Sequence, residues 1–159
     1  MTFICTLDPN GDHDTDVIDS NGEYIVRLAI GFDPESQKTY SLAVALSPQP
    51  GGSTELTFNV MSVCQHSGEW HAIWDGLATG AIFSSRDERS LIRAAVMACV
   101  TLLVDQIRPP DVTFVTHTAN LPEKALTKFW EVQRIFSERG YHGGRADQYP
   151  GRYIWIMTR

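Results

Sequence analysis

Between Tyr24 and Val60 the chain carries three runs of alternating apolar residues, and no other feature limits the fold as strongly. Tyr24, Val26, Leu28, Ile30 and Phe32 alternate with Ile25, Arg27, Ala29 and Gly31. Tyr40, Leu42, Val44 and Leu46 alternate with the small residues Ser41, Ala43 and Ala45, and Leu56, Phe58 and Val60 form the third run. Successive side chains of an extended backbone point to opposite faces, so a period of two means a strand with one buried face. Asp33-Pro34-Glu35-Ser36 separates the first two runs, and Pro48, Pro50, Gly51 and Gly52 separate the second two. Both separators are turn-forming. Connections this short predict an antiparallel meander.

The next element is helical. Ser85-Arg86-Asp87-Glu88 matches a capping box, in which the serine oxygen accepts an amide of the first turn. Leu91, Ile92, Ala95, Val96, Cys99, Leu102, Leu103 and Ile107 then recur at helical spacing, and Pro109-Pro110 ends the run. Val112 to Thr116 reads as a strand, predicted to pair in parallel by a right-handed crossover. A second helix is expected from Pro122, with Ala125, Leu126, Phe129, Trp130, Val132, Ile135 and Phe136 facing the core and Gly140 as its stop. Tyr153 to Met157 makes a last strand, residues 2–7 a short first one. Residues 8–22 read as an acidic loop and 65–83 as a packed loop. The expected fold is a mixed α/β sheet in the order β-β-β-α-β-α-β.

Bulk properties bound the rest. A chain of 159 residues fits a single domain, here with residues 1–22 as an acidic extension and 23–158 as the core. No apolar run reaches the roughly 18 residues of a membrane span, and Met1 to Cys5 lacks a basic leader, so a cytoplasmic or other intracellular setting is expected. Cys5, Cys64 and Cys99 are too few and too widely spaced for a zinc or disulfide framework. The net charge of −6 hides an asymmetry. Residues 1–83 hold eleven acidic residues against Arg27 and Lys38, whereas the second half is net positive. An acidic protein makes a poor generic binder of nucleic acid, although Arg134, Arg139, Arg145 and Arg152 could form a local basic edge.

Several words of sequence resemble the ribonuclease H-like superfamily. Ile30-Gly31-Phe32-Asp33 looks like its first strand, which ends in a catalytic aspartate. Arg89-Ser90-Leu91-Ile92-Arg93-Ala94-Ala95 is similar to its first helix, Phe114-Val115-Thr116-His117-Thr118 to its fourth strand, and Tyr153-Ile154-Trp155-Ile156 to its fifth. The resemblance implies three antiparallel strands, then two parallel ones, with the first and fourth side by side. It also implies two magnesium or manganese ions on a carboxylate cluster. Here only Asp33 matches: Leu91 stands at the glutamate position, His117 at the second aspartate position, and the helix with a further carboxylate does not follow. One carboxylate and one imidazole cannot hold two hard cations. The resemblance therefore implies a non-catalytic module that binds a protein or a structured nucleic acid. The rival is a divergent nuclease using Asp33, Glu88 and His117, which requires those side chains within about 8 Å to share ions about 4 Å apart.

The same element order is the core of the coenzyme A-dependent N-acetyltransferases, whose C-terminal half Asn120 and Gly140-Tyr141 faintly resemble. That family needs a glycine-rich pyrophosphate loop before its helix, and Ser85 to Ser90 has no glycine and two carboxylates. Three smaller groups complete the reading. Asp8, Asn10, Asp12, Asp16 and Asp19 present oxygens at calcium-loop spacing, but His13 stands where the loop needs glycine. His66, Trp70, His71, Trp74 and Asp75 read as packing residues. His117, with Thr116, Thr118 and Asn120, belongs at the carboxyl end of a parallel strand, where α/β sheets place ligands.

Overall fold

The meander forms as its periodicity predicts. In the computed structural model, which describes residues 2–73, 76–117, 126–146 and 150–159, strands β1 (Ile4–Cys5), β2 (Val17–Ser20), β3 (Glu23–Asp33), β4 (Lys38–Pro48) and β5 (Thr54–Cys64) come first. They are followed by β6 (Trp70–Ile73), α1 (Gly76–Ile82), α2 (Arg86–Ile107), β7 (Asp111–His117), α3 (Leu126–Ser137), β8 (His142–Arg145) and β9 (Arg152–Thr158). The described strands form one sheet in the order β1-β3-β4-β5-β7-β9-β8, with β2 on β3 and β6 on β5.

The antiparallel part is tightly specified. β4 and β5 pair without a break from Lys38↔Cys64 to Pro48↔Thr54. β3 pairs with β4 from Tyr24↔Leu46 to Asp33↔Lys38, with a bulge between Ala29 and Gly31. Gly31 lies where β1 crosses closely: a Cβ there would stand 2.2 Å from the carbonyl oxygen of Ile4. Val26, Leu28, Tyr40, Leu42, Val44, Leu46, Leu56 and Val60 are buried on one face. α2 packs against β3, β4 and α3 on that face.

The local end signals of α2 hold. Ser85 is extended at φ −74° and ψ 132°, and its Oγ accepts the Glu88 amide at 3.4 Å. Arg108 closes the helix in the left-handed conformation, its amide donating to Val104. By length and composition α2 could cross a membrane, but Ala95, Cys99, Val100, Leu103 and Val104 lie in the core. The same core continues beneath α3 toward the β7–β9 end of the sheet. Trp155 of β9 stacks 4.9 Å from Phe129 and 5.4 Å from Phe114.

Four expectations need correction. β7 lies beside the third strand of the meander, not the first: two strands separate it from β3. The last strand, β9, runs antiparallel to β7 rather than parallel, because the chain first makes β8 and then hairpins back between β8 and β7. The acidic segment contains β2, which pairs Val17 to Ser20 with Val26 to Glu23. The segment read as a packed loop holds β6 and α1. The fold is thus a mixed α+β sheet, mostly antiparallel with one parallel pair. The two-strand separation departs from the arrangement that the ribonuclease H-like resemblance implies.

Candidate ligand-binding cleft

The parallel pair is where the sheet opens. β5 and β7 share only the positions Thr54↔Val112 and Glu55↔Thr113, at the start of both strands. β5 then runs on to Cys64 and β7 to His117 without further pairing between them. β4 occupies the other edge of β5 along its whole length, so β6, paired from Val60 to Val63, takes the edge that β7 has left. The amide of Cys64 donates to Glu69, toward β6, while that of Gln65 donates to Gln37, toward β4. Peptide groups alternate in direction along a strand. The N–H and C=O of Phe58 therefore face the gap, between the last partner in β7 and the first in β6, and have no strand partner there among the described residues. Buried or half-buried backbone polar groups are almost always paired in a folded protein, so an unpaired edge here is a place for a ligand.

The gap is a cleft of about 600 Å³. Its apolar wall is Phe58, Val60, Ile92, Val96, Phe114 and Phe129. The polar part is unusually cationic: among the described residues Arg89, Arg93, Lys128 and Arg152 line it, with Glu55 as the one acidic residue. Asn59, also in the lining, has a buried Oδ1 without a partner among the described residues.

Those cations differ in how they are satisfied. Arg89 donates to the carbonyls of Phe83 and Ser84 at 3.2 and 3.1 Å. Arg93 forms a two-pronged pair with Glu131 of α3. Lys128 makes no hydrogen bond or ion pair with any described residue. Its Nζ lies 4.7 Å from the centre of the Phe58 ring and 5.3 Å from that of Phe129. The residue as a whole keeps some exposure at the cleft wall, but its ammonium is crowded by protein. Loss of hydration, with the neighbouring Arg93 charge, brings its pKa down to about 8.

The residues singled out in the sequence are spread over the molecule. Asp33 ends β3 and is 1% exposed. One of its oxygens accepts the Glu35 amide at 2.9 Å, the other the Ser36 hydroxyl at 2.8 Å. Burial pushes this carboxyl up, but the Ser36 hydroxyl and the amides of Glu35, Ser36 and Thr2 outweigh it and hold it below its ordinary value. Both oxygens are committed to the turn. Phe32, Lys38 and Gln65 line a second hollow beside Asp33, of about 440 Å³.

Glu88 lies in the first turn of α2, and Leu91 packs against the core. The His117 side chain, Thr118 and Asn120 lie outside the described residues, as do Trp74 and Asp75. Three strand spacings of about 4.8 Å separate β3 from β7, roughly 14 Å, which exceeds the reach of a shared ion pair. This corrects the grouping of Asp33 with His117.

Thr116 does line the cleft. Asp8 instead accepts the Asn10 amide and Asp19 that of Gly22, so both cap turns, while Asn10, Asp12 and Asp16 are exposed. No group of three or more His, Cys, Asp or Glu is placed to hold a metal among the described residues.

Sequence reasoning passed over Lys128. A signal existed: Val132 and Ile135 are buried, and Lys128 precedes them by four and seven residues, on the same helical stripe. Comparisons with protein-family models, with curated proteins and with solved structures find no match.

Proposed function

We propose that this chain is a binding module for a small molecule, held in the cleft between β5 and β7. The observation that carries the reading is the parting of a parallel strand pair after two positions, at the carboxyl side of both strands. Open α/β sheets place ligands at such points, where neighbouring strands lead their connections apart. The unpaired Phe58 peptide supplies direction, the aromatic wall supplies burial, and the cations supply charge. A macromolecular partner has less support. Of the arginines at the expected basic edge, Arg139 pairs with Asp105 at 2.5 Å and Arg134 with Glu138 at 3.7 Å. A nuclease using Asp33, Glu88 and His117 has less support still, since Asp33 is committed to its turn.

A titration of small aromatic fragments followed by amide NMR tests the reading. Shifts concentrated at Leu56 to Val60 and Val112 to Thr116 are expected. Shifts confined to Phe32 to Lys38, beside the second hollow, would refute it.

Transfer of an acyl group from a coenzyme A thioester is the second reading. It is favoured by Arg89 and Arg93, which line this cleft from the first two turns of α2. It is opposed by Asp87 and Glu88 in the first turn, which repel phosphate at a helix N-terminus. Acetyl-coenzyme A added to the same NMR sample distinguishes the two: the second reading requires shifts at Arg86 to Arg93 as well as in the cleft.

A further inference from the structure

We propose that the cleft selects an amphiphilic carboxylate, a small acid whose apolar body lies among Phe58, Phe114 and Phe129 and whose carboxylate pairs with the Lys128 ammonium. The inference rests on the cleft being the binding site and adds the chemical class of its ligand.

Below its shifted pKa Lys128 is a cation. A buried charge is ordinarily paired or hydrogen-bonded, because burial without compensation is costly. Among the described residues, the charged groups that line the cleft with Lys128 or pair there are Arg93 and Arg89 from α2, Glu131 from its own helix, Glu55 from β5 and Arg152 from β9. Glu131 is taken by Arg93, and no ion pair joins Glu55 to Lys128. The two aromatic faces at 4.7 and 5.3 Å attract the cation but offer no hydrogen-bond acceptor in line with its three N–H donors. An arriving carboxylate would supply both a counter-charge and an acceptor. The apolar wall lowers the dielectric on one side of that pair and so strengthens it.

The apolar requirement comes from the same geometry. Phe58 and Phe129, which flank the ammonium, stand 5.6 Å apart between ring centres. Phe114 continues the surface, 6.5 Å from Phe129. A ligand that reaches Lys128 must lie along these rings. A bare inorganic anion would leave them unfilled, and an uncharged apolar molecule would leave the lysine unpaired.

Two probes of equal shape separate these contributions. 4-Phenylbutyrate and 4-phenylbutanamide are titrated into the protein at pH 7, with amide NMR reporting the site. The butyrate is expected to shift Phe58, Phe114 and Lys128 and to bind at least about tenfold more tightly than the amide, the ratio of one charge-assisted bond. In Lys128→Met that preference should vanish while the fold-sensitive shifts of β3 and β4 stay in place. Lys128→Arg should retain it. Equal binding of both probes in the cleft would overturn the carboxylate inference and leave the cleft reading standing. Absence of shifts in the cleft with either probe would overturn both.

Discussion

Asp33 and Lys128 are both ionisable side chains withdrawn from water beside a hollow, and both have lowered pKa values. The shared direction has opposite meanings. For an acid, a lowered value means that the charged form is stabilised; for a base it means that the charged form is disfavoured. Asp33 sits in the closed part of the sheet with each oxygen bonded. Lys128 sits where the sheet opens, against two aromatic faces and near the Arg93 charge, with no hydrogen-bond or ion-pair partner among the described residues. A satisfied charge maintains a turn. An unsatisfied one, held in a cleft, is available to a ligand.

The largest expected effect concerns packing on the closed side. Leu46 is fully buried at the centre of the meander. Leu46→Ala should lower stability by about 2–5 kcal/mol in urea unfolding, from lost transfer energy and a residual cavity. Phe58→Ala should lower it clearly less, although the side chain is larger, because Phe58 already borders open space. Equal losses would mean that the cleft is packed as tightly as the meander.

Next in size is a substitution that stabilises. Replacing Lys128 by Met removes a partly dehydrated charge that has no ion-pair partner among the described residues, and should raise stability by up to about 1 kcal/mol at pH 7. A loss of similar size would indicate that Lys128 has a partner.

The pH dependences of the two sites should run in opposite directions. Lys128 binds fewer protons in the folded chain than in the unfolded one between its folded value of about 8 and its ordinary value of 10.5. The stability of the native sequence should therefore rise, relative to Lys128→Met, as pH climbs through that window. Asp33 behaves as a depressed acid. Its advantage over Asp33→Asn should be complete well above 3.8, its ordinary value, and be lost as pH falls below that point. Urea midpoints across pH for the three proteins check both signs. A gap independent of pH at either site would contradict the assigned environment.

The smallest effect is on thiol chemistry. Burial pushes Cys99 up to about 11, whereas Cys64 is brought down, chiefly by hydrogen bonding to Ser67. Iodoacetamide should modify Cys64 well before Cys99 in the native protein, as peptide mass mapping would show. Faster modification of Cys99 would mean that α2 opens more readily than its buried face implies.

Much of the fold is readable before any coordinates. The alternation from Tyr24 to Val60 and the Ser85 cap are local signals, and β3, β4, β5 and α2 form where they predict. The neighbour of β7 is not a local property. A helical crossover from β5 can return on either side of the meander, and the choice is recorded in two paired positions and in packing among distant residues such as Phe114, Phe129 and Trp155. β8 escaped because His142-Gly143-Gly144-Arg145 has no alternating apolar pattern. The site was harder still. Asp33 attracts attention as a carboxylate at the end of a strand, yet its neighbours two and three residues on consume it. Lys128 looks like one more surface charge until Phe58, from a distant part of the chain, is placed over it.

The most direct measurement is the titration of the Lys128 side chain in the ligand-free protein, followed by NMR of its ε-carbon. A midpoint near 8 is predicted for an ammonium partly stripped of water and without a counter-charge among the described residues. A midpoint at or above 10.5 would show it to be hydrated or paired, and would contradict the cleft as a site awaiting an anion.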